Sequence, residues 1–334
     1  MIEVTGLSKR YGSHLAVENA NFTINDGEVV GFLGPNGAGK STIMNILTGY
    51  ISLTVGKVSI NGWDIVENPE QAKRHIGYLP EIPPLYTDMT VVEYLNFIFD
   101  LKKVKLPRNP HINEICKLVM IEDVKNRLIK NLSKGYRQRV GIAQALIGNP
   151  DTLILDEPTV GLDPKQIIEI RNLISRLGKN HTVILSSHIL SEIQAVCDRI
   201  IIINKGHIVA DGTTDELSKN ISEDNSFEVR IAGPQKDVLK TISSIEGVDS
   251  VEVLGSIEKN STDYKIIPLD KKDVRRKMFE RLSERNWPIL SLRDSAMTLE
   301  QIFLRMTSED VVANNTLFIK EEINEETLEK EDKE

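Results

Sequence analysis

Runs of β-favouring residues at Ile2–Leu7, Ala20–Ile24 and Val29–Leu33, parted by Gly, Asn and Asp, predict strands at the start of the chain. A glycine-rich loop, Gly34–Lys40, follows, and Ser41–Thr48 has helical spacing that stops at Gly49. Val58–Ile60 runs into Asn61-Gly62, a hairpin signal. Between about 85 and 148 the pattern changes: Val91–Lys103, Asn113–Met120 and Tyr136–Ile147 have helical spacing and form a helical insert. From 152 the chain alternates: strand Thr152–Leu155, helix Pro164–Leu177, strand Thr182–Ser186, helix Ile189–Val196. The strands Arg199–Ile203 and His207–Ala210 then flank an Asn204-Lys205-Gly206 turn. Strand–helix alternation predicts an α/β core with a parallel sheet. Polar residues at 219–225 punctuate the chain. Beyond them the order is strand Phe227–Ile231, helix Gln235–Ile245, strand Val248–Leu254, strand Tyr264–Ile267, helix Lys271–Arg285, strand Ile289–Leu292. That order matches a small α+β, ferredoxin-like unit. A last helix is expected at Leu299–Met306. The expected divisions are 1–218, 219–310 and an acidic, disordered tail over 311–334.

Composition narrows the class. Of the 334 residues 40% are hydrophobic and 27% charged, enough apolar material for a sizeable core. Lys and Arg number 41 against 49 Asp and Glu, a net charge of −8, and −5 of it falls between Lys320 and Glu334. The nearly neutral remainder carries no general signature of nucleic-acid binding. Cys116 and Cys197 are too few for a disulfide framework and read as reduced thiols of a cytosolic protein. The first residues do not form a secretory signal, and the longest pure apolar runs, such as Ile200–Ile203, fall far short of the ~20 residues that span a bilayer. Work at a membrane would need another chain to hold this one there.

Gly34-Pro35-Asn36-Gly37-Ala38-Gly39-Lys40-Ser41 fits G-x-x-x-x-G-K-[ST]. Glycines let the backbone turn so that N–H groups face phosphate oxygens, and the following helix offers its positive end to the same anion. Lys40 would reach the β- and γ-phosphates. Ser41 would ligate Mg²⁺, with Thr42 one step behind. A chance glycine-rich turn is the ordinary alternative, and the preceding strand and following helix weigh against it. Thr152–Leu155 ends in Asp156-Glu157, at the strand end that faces the ligand crevice of a parallel sheet. Asp156 suits Mg²⁺ through a water, and Glu157 suits the general base that polarises attacking water. Alone, such acids often merely begin a turn; beside the glycine loop the catalytic reading is the better one. Leu132-Ser133-Lys134-Gly135-Tyr136 opens the helix that precedes this strand, with Ser133 available as its cap.

The order of glycine loop, L-S-x-G helix start, D-E strand and a later Ser187-His188 resembles the ATP-binding subunit of ABC transporters, a P-loop NTPase. The resemblance covers about residues 1–215. It implies the ABC-ATPase core: a parallel sheet flanked by helices, an antiparallel β subdomain and a helical insert. The L-S-K-G-Y version, with Lys134 and Tyr136 in place of Gly and Gln, resembles a bacterial exporter-type branch. The resemblance further implies that Ser133 and the Gly135 backbone cover the γ-phosphate of ATP held by a second copy, that Tyr11 stacks on adenine, that Asp163 in Gly161-Leu162-Asp163 contacts the opposite subunit, and that His188 touches the γ-phosphate. Glu81, in Ile76-Gly77-Tyr78-Leu79-Pro80-Glu81, stands where the family usually has a Mg²⁺-ligating Gln. The apolar Ile82-Pro83-Pro84-Leu85-Tyr86 lies where the family receives short helices of a membrane partner.

The expected activity is therefore ATP hydrolysis to ADP and phosphate. ATP closes two copies and hydrolysis opens them, powering transport, in the export direction, through a separate polytopic permease. The place of action is the cytoplasmic face of the cell membrane. Two other readings compete with this one. A soluble single-cassette ATPase of assembly would not co-purify with a polytopic membrane protein, and a non-hydrolysing switch would not need Glu157 and His188. The C-terminal region is expected to support dimerisation.

Overall fold

The computed structural model describes residues 1–221, 226–256, 258, 260–269, 272–294, 300 and 303–304. The expected helix at 299–306 lies largely, and the acidic tail wholly, outside the described residues. The chain divides into two compact units, the break falling after Thr214, slightly before the division expected at 218.

The first unit opens with β1 (Ile2–Tyr11) and β2 (His14–Ile24), each longer than the sequence pattern suggests. β3 (Val29–Leu33) leads through the glycine loop into α1 (Lys40–Leu47). Next come β4 (Val55–Ile60), β5 (Trp63–Asp64), α2 (Pro69–Arg74) and β6 (Ile76–Leu79). The helical insert comprises α3 (Val91–Leu101), α4 (Arg108–Leu118) and α5 (Lys134–Leu146), with two short 3₁₀ turns between the last two. The chain then returns through β7 (Thr152–Asp156), α6 (Pro164–Leu177), β8 (Thr182–Ser187), α7 (Leu190–Gln194), β9 (Arg199–Asn204) and β10 (His207–Thr213), and α8 (Thr214–Ile221) begins at the break.

Two sheets form. The smaller has the order β2-β1-β4-β5 and is antiparallel; the larger has the order β10-β9-β3-β8-β7-β6, all pairs parallel except β10 with β9. Every residue of β3, β7 and β8 is buried. Strands covered on both faces read as continuous apolar runs, which makes them legible in the sequence. One hydrophobic cluster joins Ile2, Leu7 and Ile24 of the small sheet, Ile43, Met44 and Leu47 of α1, and Phe32 and Ile201 of the large sheet. At about 1.5–3 kcal/mol for each such buried side chain, this packing fixes α1, and with it the glycine loop, against both sheets.

Helix starts follow local chemistry. Thr90 and Glu93 form a reciprocal capping box at α3. Asp163 accepts from the Gln166 N–H at 2.9 Å, and Pro164 occupies the first position of α6. α4 starts well before the expected Asn113 because Pro107 and Pro110 lie at its N-terminal end, where a missing N–H breaks no helical bond. In the insert, the buried Tyr94 of α3 donates to the Gln144 side chain of α5, tying the two helices together.

The second unit contains β11 (Phe227–Ala232), α9 (Gln235–Ser243), β12 (Val248–Gly255), β13 (Ser261–Pro268), α10 (Arg275–Ser283) and β14 (Ile289–Asp294). Its antiparallel sheet has the order β12-β13-β11-β14, the ferredoxin-like arrangement of a β-α-β-β-α-β chain. Phe227, Val229, Ile231, Tyr264 and Ile266 pack with Val238 and Ile242 of α9 and Met278 and Leu282 of α10. Alternate positions on the strands carry charge. Glu252 pairs with Lys265, Lys265 with Glu228, and Glu228 with Arg293, one row crossing all four strands.

Candidate functional site: the glycine-loop cavity

A cavity of ≈ 510 Å³ opens over the glycine loop, lined by Tyr11, His14, Ala16, Asn36, Gly37, Gly39, Lys40, Ser41, Thr42, Glu81, Glu157, Val160 and His188. Residues far apart in the sequence thus converge on one space. Gly39 at the loop's end has φ +110°, a conformation closed to other residues, and a Cβ there would stand 2.7 Å from the Ala16 carbonyl oxygen. The turn that presents Lys40 and Ser41 requires glycine at this point.

Lys40 is 5% exposed and donates to the carbonyls of Gly34 at 2.7 Å and Pro35 at 3.2 Å, with Glu157 Oε1 at 3.6 Å. Burial lowers the pKa of this ammonium, against the opposing attraction of Glu157, Asp156 and Glu81. A buried ammonium favours an anionic ligand beside it. Gly34 and Pro35 act as acceptors for Lys40, and Ala38 is buried in the core under the loop.

The two acids at the end of β7 have different surroundings. Asp156 Oδ1 accepts from Ser41 Oγ at 3.4 Å and from Ser186 Oγ at 2.5 Å, and Ser186 in turn accepts from the Glu157 N–H at 2.9 Å. Ser186, to which the sequence motifs assign no role, therefore sets both acids relative to β8. Glu157 has φ +47°, unusual for a side chain with a Cβ, and its carboxylate meets His188 Nδ1 at 3.0–3.1 Å. Lys40, Glu157 and His188 form a contiguous cation–carboxylate–imidazole row.

The donor set at the Asp156 end is a hydroxyl and carboxylates, with Glu81 on the wall of the cavity. Hard oxygen donors of this kind fit Mg²⁺, which keeps waters and takes one or two carboxylates beside phosphate. Tyr11 lines the cavity and is 47% exposed, with Lys9 Nζ over one face of its ring, 5.1 Å from the centroid. His14, paired with it across the β1–β2 turn, also lines the cavity and belongs to no sequence motif.

Ser133, Gly135 and Asp163 do not line this cavity. Ser133 caps α5, accepting from the Tyr136 N–H at 3.4 Å, and Asp163 caps α6; both are exposed. The Ser133 hydroxyl and the N-terminal end of α5 are thus open to an anion. Gly135 packs against the Gln166 side chain with no room for a Cβ, and Lys134 lies against Gly161 of its own chain. The L-S-K-G segment and the Gly161-Leu162-Asp163 loop are therefore neighbours. Neither Gln166 nor this use of Lys134 is apparent from spacing.

The ABC transporter family profile matches residues 17–160. The bacitracin transport ATP-binding protein BcrA of Bacillus licheniformis is 39% identical over 221 residues, 66% of this chain and 72% of BcrA. The linearmycin resistance ATP-binding protein LnrL of Bacillus subtilis is 29% identical over 311 residues, 92% of this chain and 98% of LnrL. Among solved structures, the dimeric post-hydrolysis state of the cassette MJ0796 bound to ADP and Pi matches with TM-score 0.58 and 27% identity, covering 64% of this chain and 98% of that one. The family profile falls on the unit that holds the glycine-loop cavity, and the LnrL likeness runs on beyond it, so the chain belongs to the ABC transporter ATP-binding proteins, the ATP-hydrolysing subunits of transporters.

Proposed function

We propose that two copies of this chain close on ATP, each completing the other's site, and that hydrolysis reopens them to drive a separate permease in the export direction. The observation that carries this reading is the division of the anion-binding groups: Lys40, Ser41, Glu157 and His188 surround the cavity, whereas Ser133 and Gly135 lie outside it on the same chain. A γ-phosphate bound at Lys40 would be half-neutralised by one chain. The exposed Ser133 hydroxyl and α5 terminus of a second copy supply the missing donors. After cleavage the separated phosphates repel, and the closed state loses its differential stabilisation.

Within one site the roles follow from position. Tyr11 stacks on the base. Gly34–Thr42 wrap the phosphates, with Lys40 as their cation. Glu157 takes a proton from the attacking water, and His188, hydrogen-bonded to Glu157, orients that carboxylate and donates toward the γ-phosphate. Asp163 meets the second copy. Ser41, Asp156 and Glu81 would hold Mg²⁺, which when bound neutralises phosphate charge. L-S-K-G-Y and the names of the antibiotic-transport and antibiotic-resistance relatives support the export direction.

The permease-facing surface is a second cavity of ≈ 630 Å³, lined by Tyr50, Lys73, Tyr78, Ile82, Pro84 and Lys102 among others. Tyr50 is 79% and Ile82 81% exposed, an apolar rim suited to a short helix of a membrane subunit. Among the described residues no helix is long and apolar enough to cross a membrane. Docking there would hold the chain at the inner face of the membrane.

The test is Glu157→Gln in the full chain with Mg²⁺ and ATP. Hydrolysis is expected to fall by about a hundred- to ten-thousand-fold, and sedimentation should show an ATP-dependent dimer. A variant that stays monomeric, while wild type hydrolyses as a monomer, overturns the two-copy reading. Truncation after residue 218 tests the role assigned to the C-terminal unit: undiminished ATP-dependent dimerisation would remove it from dimer support.

A further inference from the structure

Outside the cavity, one buried carboxylate has a role that the nucleotide chemistry does not assign. Glu192, in α7, is 4% exposed. Its Oε2 accepts from Thr159 Oγ1 at 2.5 Å and from Ser187 Oγ at 3.0 Å. Thr159 and Ser187 are themselves buried. Ser187 Oγ also accepts from the Ile189 N–H at 3.0 Å, so the hydroxyl is oriented at both ends. Two donors from different segments thus converge on one oxygen.

The placement of those donors is what matters. Thr159 stands two residues after Glu157, at the start of the turn that leads to Gly161-Leu162-Asp163. Ser187 immediately precedes His188. On the near side, Ser186 joins β8 to Asp156 and to the Glu157 N–H. On the far side, Glu192 bridges the Glu157-Pro158-Thr159 turn and the Ser187-His188 turn, behind the direct contact of Glu157 with His188. We infer that Glu192 is a positioning residue for hydrolysis: as a shared acceptor it fixes the spacing of Glu157 and His188 and links both to the Asp163 loop. Glu192 does not line the cavity, and it acts through Thr159 and Ser187. Because both hydroxyls meet the same oxygen, a carboxamide oxygen can accept them as well, so the role needs an acceptor and not a charge. The inference rests on Glu157 and His188 being the hydrolytic pair.

Steady-state ATPase of full-length Glu192→Gln and Glu192→Ala separates the possibilities. Losing the acceptor shared by two buried hydroxyls unties the Glu157 and His188 turns from one another, and misplacement of that kind corresponds to a kcat loss of about tenfold or more in Glu192→Ala. The KM for ATP should stay within about twofold, since no ground-state contact with nucleotide is removed. Glu192→Gln should restore most of kcat. If Glu192→Ala does not fold, Thr159→Val against Thr159→Ser decides in the same way, with loss expected in the first and retention in the second. The inference is overturned if Gln is as inactive as Ala, if Ala leaves kcat unchanged, or if KM rises in step with the fall in kcat. Glu157→Gln, assayed alongside, tests the hydrolytic pair separately, because its loss of turnover does not depend on Glu192.

Discussion

His188 Nδ1 stands 3.0 Å from Glu157 Oε2, at the meeting of two neighbouring strand ends of the first unit. The contact makes the imidazole a brace for the carboxylate and leaves its far nitrogen free to serve the cavity. His188→Ala should therefore lower kcat while leaving ATP binding largely intact. Nucleotide affinity measured by calorimetry against single-turnover phosphate release checks this. Equal loss in both would place His188 in binding instead.

Gly135 has no space for a Cβ because the end of the Gln166 side chain occupies it. Gly135→Ala is expected to displace the start of α5, with turnover reduced about ten- to a hundredfold, the scale of an ångström-sized misplacement. Gln166→Ala in the same chain should recover part of it. No recovery would show that the Gln166 side chain is not what the added methyl displaces.

Glu81 places a carboxylate on the wall of the cavity that Glu157 also lines. Glu81→Gln removes one negative charge beside the phosphates, so the Mg²⁺ concentration giving half-maximal ATPase activity should shift. An unaltered rate and unaltered Mg²⁺ dependence would remove Glu81 from the metal assignment.

In the second unit, the Arg230 guanidinium hydrogen-bonds Asp263 at 2.6 and 3.1 Å and holds its carboxyl below the ordinary carboxylate range. A depressed carboxylate pKa stabilises the fold above that range, and the stability is lost as the pH falls through it. Asp263→Asn should therefore lower the Tm of this unit at neutral pH, and the gap to wild type should close in acid. Thermal unfolding followed at Trp287, in a Trp63→Phe background, measures it; a gap independent of pH would refute the ion pair's contribution.

What is local in this fold is legible in the sequence. Gly34–Ser41 carries its own turn chemistry, β3 has no polar side chain, and the fully buried β7 and β8 each carry an apolar run, Leu153–Leu155 and Val183–Leu185. α6 is legible over its full length because Asp163 and Pro164 mark its start. α2 escapes notice although Asn68-Pro69 is a start signal, since six residues give little periodicity. What stays hidden depends on distant parts of the chain meeting: Ser186 on Asp156, Gln166 on Gly135, Glu192 on Thr159. A serine after an apolar run, or a glutamine in a helix, carries no mark of the partner it will find across the fold.

The row Glu252, Lys265, Glu228, Arg293 has a bearing on how the second unit meets its surroundings. Neighbours of opposite sign satisfy one another across the strands, so the row itself offers nothing to an oily surface and has no surplus to attract a polyanion. A companion laid on it would need a matching chequerboard, and brine would loosen its hold. Firm, salt-resistant association by this unit must therefore run elsewhere than along the row.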